Sequence, residues 1–421
     1  MRQAALTLTL LGLIGVAGFS AASRTAGAAK AASPSVEVTY TSRAALVRAL
    51  NVRPARLVRV VAPLHVAEVR PAGPIGKYVR ALRRLPGIAF AHATVGRTSA
   101  VSAAVGSGPA VAEVSPDVAA GEWQYSAVGL DRVPPDVLAA AARITIAVVD
   151  TGADVTSPSL MGKVRGTYDV RNGGRRVPDA DGHGTFVASL AGGVSPGGEG
   201  IAGFGGAAQL LVVKVANSTR FSDVDVAAGI VYAVRHGARI VNLSVAGREP
   251  SVVEQAALEF AARHGVLVVA AAGNDALAGD PPEYPAALLQ PVGSNGVGGL
   301  GLSVAASDAN GARAGFSEFG SFVSLAAPGV AVFGAVPVRK VAGVSRSAYE
   351  YASGTSFAAP EVAGAAALVW AANPRLSFRR VARILKQTAS GSGDWSPELG
   401  YGVIDAAAAV QRATAASSAG G

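Results

Sequence analysis

Beyond residue 143 the chain alternates between short apolar runs and longer stretches whose apolar residues recur every three or four positions. The runs at 144–149, 210–215, 240–243, 266–270 and 302–305 contain at most one polar residue each. Strands covered on both faces read this way. Between them, 185–192, 223–236 and 250–264 carry the helical period. Such alternation predicts an α/β domain over 121–412, a doubly wound parallel sheet with helices on both faces. Residues 356–372 are apolar almost throughout and predict a helix through the core, with Pro360 tolerated near its start. A last helix over 377–387 carries Arg379, Arg380, Arg383 and Lys386 on a face expected to be solvated.

Upstream the period changes. Residues 57–61 and 64–69 alternate as strands do, 74–85 reads as an amphipathic helix, and 87–95 returns as a strand. This predicts a separate small α+β unit over 35–97. The Ser-, Ala-, Gly- and Val-rich stretch 98–120 reads as a linker, and 413–421 as a disordered tail. Met1-Arg2, an apolar stretch from Ala4 to Phe19, and then Ala21, Ala22, Ala26, Gly27 and Ala28 have the layout of a signal peptide over 1–30. The expected location is therefore secreted or periplasmic, with an uncleaved membrane anchor as the weaker reading.

Charge is unevenly placed. Residues 31–120 hold 11 Arg and Lys against 4 Asp and Glu, and residues 1–30 add three basic side chains. Of the chain's 37 basic and 28 acidic residues, 23 and 24 are left for 121–421. The net charge of +9 thus belongs to the N-terminal segments and is no argument for nucleic acid. The chain has no cysteine, which excludes disulfides and thiol chemistry. No His/Glu group has zinc-peptidase spacing, so no metal ligand is assigned.

Candidate chemistry begins at Ser356 in Ser353-Gly354-Thr355-Ser356-Phe357-Ala358-Ala359-Pro360, between a glycine turn and a helix start. Helix N–H groups at such a place can face a developing oxyanion. A serine nucleophile needs a base, and His183 in Asp181-Gly182-His183-Gly184-Thr185 is the candidate. Asp150 ends the first apolar run, at a strand's carboxyl end, where open parallel sheets form their sites. His236 and His264 each close a helical pattern and read as C-terminal residues; His65 and His92 lie upstream, and none of the four is assigned to chemistry.

In the order Asp150, His183, Ser356, these blocks resemble those of the subtilisin-like serine proteases. The segment Ala271-Ala272-Gly273-Asn274 is similar to the family's strand leading to its oxyanion-hole asparagine, and Ser244-Val245-Ala246-Gly247 to its pocket-lining strand. The resemblance implies a Ser356 nucleophile, an oxyanion hole of Asn274 and the Ser356 N–H, and substrate walls of Ser244–Gly247 and Ala271–Gly273. It also makes 35–97 an inhibitory pro-segment, with self-cleavage expected within 98–120. The uncharged walls predict a preference for uncharged side chains at the cleavage site.

The chain departs from the family at Phe186, Ser189 and Phe357, of which the apolar Phe186 and Phe357 are expected to have little effect on chemistry, and at Ala246, whose methyl group could narrow the pocket. Ser159 replaces an expected calcium carboxylate, so the family's strongest calcium site is expected to be absent; other calcium sites stay open, and no cofactor is required. Protein or peptide substrates, the chain's own pro-segment and a monomeric state are expected. An inactive secreted binding protein and an esterase are the alternatives. No function is read for the glycine-rich stretch 289–299.

Overall fold

The computed structural model describes residues 35–99, 123–195, 201–341 and 344–418. The expected signal peptide and nearly all of the expected 98–120 linker lie outside them. The first elements are β1 (Val36–Tyr40), α1 (Arg43–Asn51), β2 (Ala55–Val61), β3 (Val66–Pro71), α2 (Ile75–Leu82) and β4 (Ile88–Ala93). Their strands form an antiparallel sheet in the order β2-β3-β1-β4, and the two helices close a core of Val36, Val38, Leu46, Val69, Tyr78 and Leu82. The expected α+β unit is therefore present, with β1 and α1 as additions to the pattern.

The chain then leaves as a strand rather than a linker. β5 (Gly96–Ser99) is the middle strand of a three-stranded sheet, between β9 (Arg220–Ser222) and β11 (Val245–Ala246). Thr98 and Ser99, placed by sequence in the linker, belong to it. This segment is polar, and its place is fixed by backbone pairing on both sides.

Two short helices, α3 (Trp123–Ala127) and α4 (Pro135–Ala140), lead into the large domain. Its sheet has seven parallel strands: β6 (Thr145–Asp150), β7 (Val164–Asp169), β8 (Gln209–Lys214), β10 (Ile240–Leu243), β12 (Leu267–Ala271), β13 (Gly301–Ser307) and β14 (Leu325–Pro328). The order is β14-β13-β12-β10-β6-β8-β7, so β6 lies near the centre; on one side the chain builds outward from it through β10 to β14, and on the other β8 lies between β6 and the edge strand β7. The five expected strands are all present; the edge strands β7, which is largely polar, and β14, which has only four residues and ends in Pro328, were not expected. Helices α5 (His183–Gly192) and α9 (Thr355–Ala372) pack together on one face, and α6 (Asp223–Arg235) and α7 (Val252–Arg263) on the other. Short α8 (Ala286–Leu289), the hairpin β15 (Val332–Val341) and β16 (Val344–Ala352), α10 (Phe378–Thr388) and α11 (Ala406–Ser418) complete the domain.

Three expectations need correction. Residues 413–418 are not a loose tail, because α11 runs to Ser418 and Ala409, Val410 and Ala413 bury one alanine-rich face. Lys386 does not share a solvated face; it is buried, and its ammonium donates to the Gly296 carbonyl at 2.6 Å, pinning α10 to the glycine-rich loop. Pro360 sits inside α9, past its first turn, so its missing N–H frees the Ser356 carbonyl four residues back. That carbonyl accepts the Ser244 hydroxyl instead, at 2.7 Å. That bond ties the turn bearing Ser356 to the segment leading into β11.

Candidate active site

Asp150 ends the central strand β6 and is fully buried. Its Oδ1 accepts the Thr151 N–H at 2.6 Å and faces His183 Nδ1 at 2.7 Å. His183 opens α5, and the next residue must be small: a Cβ on Gly184 would lie 2.1 Å from the Gly152 carbonyl oxygen. The contact between strand end and helix start is thus set by a glycine. Asp179 holds the intervening loop, accepting from Thr151 Oγ1 at 2.9 Å, Gly182 N–H at 2.9 Å and Thr185 Oγ1 at 2.6 Å. From β8, Lys214 donates to the carbonyls of Thr151 and Pro178. Neither Asp179 nor Lys214 was singled out by sequence; an acid four residues before a helix start is the signal for the first.

Burial by itself pulls the His183 imidazole toward its neutral form. The Asp150 charge and hydrogen bond more than offset this and hold its pKa above the ordinary value. Its Nε2 is buried and has no partner among the described residues. Ser356, second residue of α9, is also buried, and its hydroxyl donates to the Ser244 carbonyl at 3.1 Å rather than to His183. The neighbouring Phe357 ring lies 5.9 Å from the His183 ring and 4.4 Å from that of Phe186. Both phenylalanines are buried, as expected of apolar replacements. Ser189 bridges α5 to β15, donating to the Phe186 carbonyl and accepting the Ala335 N–H.

Asn274 is placed by the same helix start. Its Oδ1 accepts from the Thr355 N–H at 3.0 Å and the Thr355 hydroxyl at 3.1 Å. The amide nitrogen Nδ2 is left buried and unpartnered among the described residues, a preorganised donor. Gly273 N–H donates to Thr355 Oγ1 at 3.2 Å, which brings the Ala271–Gly273 wall against α9. On the other side, Ala246 pairs with Thr98 of β5.

The expectation of uncharged walls does not hold. A Cβ on Gly273 would lie 1.9 Å from Glu283 Oε2 and 2.8 Å from Glu318 Cγ, so two buried acids pack on that wall. Burial, then the nearby Asp275, pushes the Glu283 carboxyl up to about 7. Glu283 lies ten residues beyond Gly273 and returns because Tyr284 N–H donates to the Gly247 carbonyl at 2.8 Å. A preference for uncharged side chains therefore no longer follows.

Residues 141–402 match the model of the subtilase family, peptidase S8, and the chain belongs to that family. It is a serine peptidase by that membership. Thermitase from Thermoactinomyces vulgaris is 37% identical over 255 residues, covering 59% of this chain and 83% of thermitase. Subtilisin Savinase from Lederbergia lenta is 35% identical over 269 residues, 64% of this chain and 91% of the relative. The crystal structure of fervidolysin from Fervidobacterium pennivorans, a keratinolytic enzyme related to subtilisin, superposes with a TM-score of 0.75 at 26% identity, over 90% of this chain and 61% of that one.

Proposed function

We propose that the chain is a secreted serine endopeptidase, made as a self-processing zymogen, that cleaves peptide bonds by acyl transfer to Ser356. The observation that carries this reading is the buried Asp150–His183 pair, its free Nε2 beside the helix start that bears Ser356. Rotation about the Ser356 side-chain bond takes the hydroxyl from the Ser244 carbonyl to His183. His183 Nε2 accepts the proton as Ser356 Oγ attacks the carbonyl carbon, then returns it to the leaving amine. Water releases the acyl group by the same base. Asn274 Nδ2 and the Ser356 N–H, free of helix partners at this position, receive the oxyanion. Asn274→Ala is expected to lower kcat about 10²–10³-fold with little change in KM, read with a chromogenic peptide.

A fluorophosphonate probe tests the reading on the full chain. The adduct is expected on Ser356 by peptide mapping, together with hydrolysis of an unfolded protein. A label without peptide cleavage would favour an esterase; no label at all would favour a binding protein. Calcium is not built into the mechanism. Ser159 is buried and its hydroxyl accepts the Ile201 N–H at 3.0 Å, a single neutral oxygen already engaged, which does not fit a calcium ligand.

The pro-segment acts as intramolecular inhibitor through β5, which takes the place of a substrate strand. Its positive charge meets acids of the large domain: Arg59 pairs with Asp225 at 2.6 Å, and Arg97 with Glu254 at 2.7 Å. Glu37 of β1 is buried beside Asp223 and Glu254. Burial first, then Asp223, pushes its carboxyl up to about 8 from 4.5, against the pull of Arg97. Docking therefore takes up a proton between those values, so it is strongest in acid and weakens as pH rises toward 8. Inhibition by the cleaved pro-segment is expected to loosen between pH 6 and 8, by up to about tenfold per unit. Glu37→Gln should flatten that slope, and an equally steep slope in the variant would remove Glu37 as its cause.

A further inference from the structure

The last strand of the pro-segment shows what the cleft is built to accept. β5 runs antiparallel to both of its neighbours, with Ser99 opposite Val245, Thr98 opposite Ala246 and Arg97 opposite Phe221. A strand held this way is bound through its backbone, and alternate side chains carry the selection. Gly96 and Thr98 face outward, while Arg97 is 1% exposed. Its Nε lies 3.2 Å from each oxygen of Glu254, and its Nη2 donates to Oε2 at 2.7 Å. Nη1 donates to the Gly96 carbonyl at 3.0 Å. Glu254 stands in the first turn of α7, where the N-cap Ser251 accepts its backbone N–H at 3.3 Å and donates its hydroxyl to Asp223 at 2.8 Å.

Glu254 lies on the large domain, so this pocket stays when the pro-segment leaves. Once Arg97 is withdrawn, Glu254 is left beside Asp223 without its cation. A strand that takes the place of β5 buries Glu254 again, where a carboxylate without a cation is costly and an incoming guanidinium restores the pair. We propose that Glu254 is the specificity-determining residue of a substrate subsite for arginine, at the fourth position before the cleaved bond. The position follows from the register. With Ser99 opposite Val245, the next residue of a bound substrate stands opposite Ser244, whose carbonyl accepts the Ser356 hydroxyl. That residue, three beyond the arginine, presents its carbonyl to the nucleophile. Arginine fits better than lysine because the planar fork meets both carboxylate oxygens.

The proposal rests on the protease reading, and one experiment separates the two. Fluorogenic peptides differing only at that fourth residue, with arginine, lysine or norleucine, are given to the self-processed chain and to its Glu254→Gln variant. The arginine peptide is expected to exceed the norleucine peptide about tenfold or more in kcat/KM, with lysine between, as one charge-assisted pair would give. In Glu254→Gln the ratio should fall toward one. If that variant does not fold, the ratio on the unaltered chain still decides. Equal rates there, with Ser356 labelled by a fluorophosphonate, would overturn the subsite alone and leave Glu254 an anchor for the pro-segment. No cleavage of any peptide and no label would overturn both readings.

Discussion

Ser356→Ala is expected to leave the 421-residue chain whole and to lower peptide hydrolysis by about 10⁶-fold, the loss that follows when such a triad lacks its nucleophile. The hydroxyl is the group that bonds carbon, so no neighbour can replace it. Folding should survive the change. In the resting arrangement Ser356 Oγ makes one hydrogen bond, to the Ser244 carbonyl, while the link that ties its turn to the cleft runs through its backbone carbonyl. Intact masses followed over time are the measurement. The unaltered chain should lose an N-terminal piece ending between residues 95 and 120, and the variant should lose none. Processing of the variant at the normal rate in dilute solution would defeat the self-cleavage reading.

Asp150→Asn is expected to cost about 10⁴-fold in kcat while keeping the fold. Asp150 Oδ1 now serves two donors at once, the Thr151 N–H at 2.6 Å and His183 Nδ1 at 2.7 Å. An asparagine that keeps its oxygen in that place still accepts from both donors, but it carries no negative charge to stabilise the imidazolium that forms when the serine proton is taken. A second signature accompanies the loss. The working base is neutral imidazole, so activity falls as pH drops through the His183 pKa, which Asp150 holds raised against burial. Removing that charge should move the acid limb of the kcat/KM profile to lower pH. A variant within tenfold of the parent, with its acid limb unmoved, would contradict the assignment.

The central part of the fold was legible because buried parallel strands are written as unbroken apolar runs and their helices as a different period. Asp150, His183 and Ser356 were legible for a related reason: each stands at the end of such an element, where the pattern itself changes. Asn274 was singled out through the resemblance; the structure adds that its Oδ1 is occupied and its Nδ2 has no partner among the described residues. What escaped the sequence acts across the fold. Glu283 and Glu254 look like ordinary surface acids in their own segments, yet the Gly247–Tyr284 pairing and the docking of β5 bury them. β5 has no apolar period to betray it, because neighbouring backbones define it. The helix over 413–418 was missed because Ala, Thr and Ser together read as loose chain, although every third or fourth position is small enough to pack.

The three-stranded sheet of β9, β5 and β11 has a consequence for which proteins can be digested. Taking out its middle member leaves two backbone edges facing each other across one strand's width. A helix or a compact turn cannot bridge them; only a stretched-out segment offers donors and acceptors to both sides. On the proposed reading that a substrate takes the place of β5, a folded target must surrender several residues of its own structure before it can be cut. Where that local opening equilibrates faster than cleavage, the rate measures how often the target opens there, and stability becomes the target's defence.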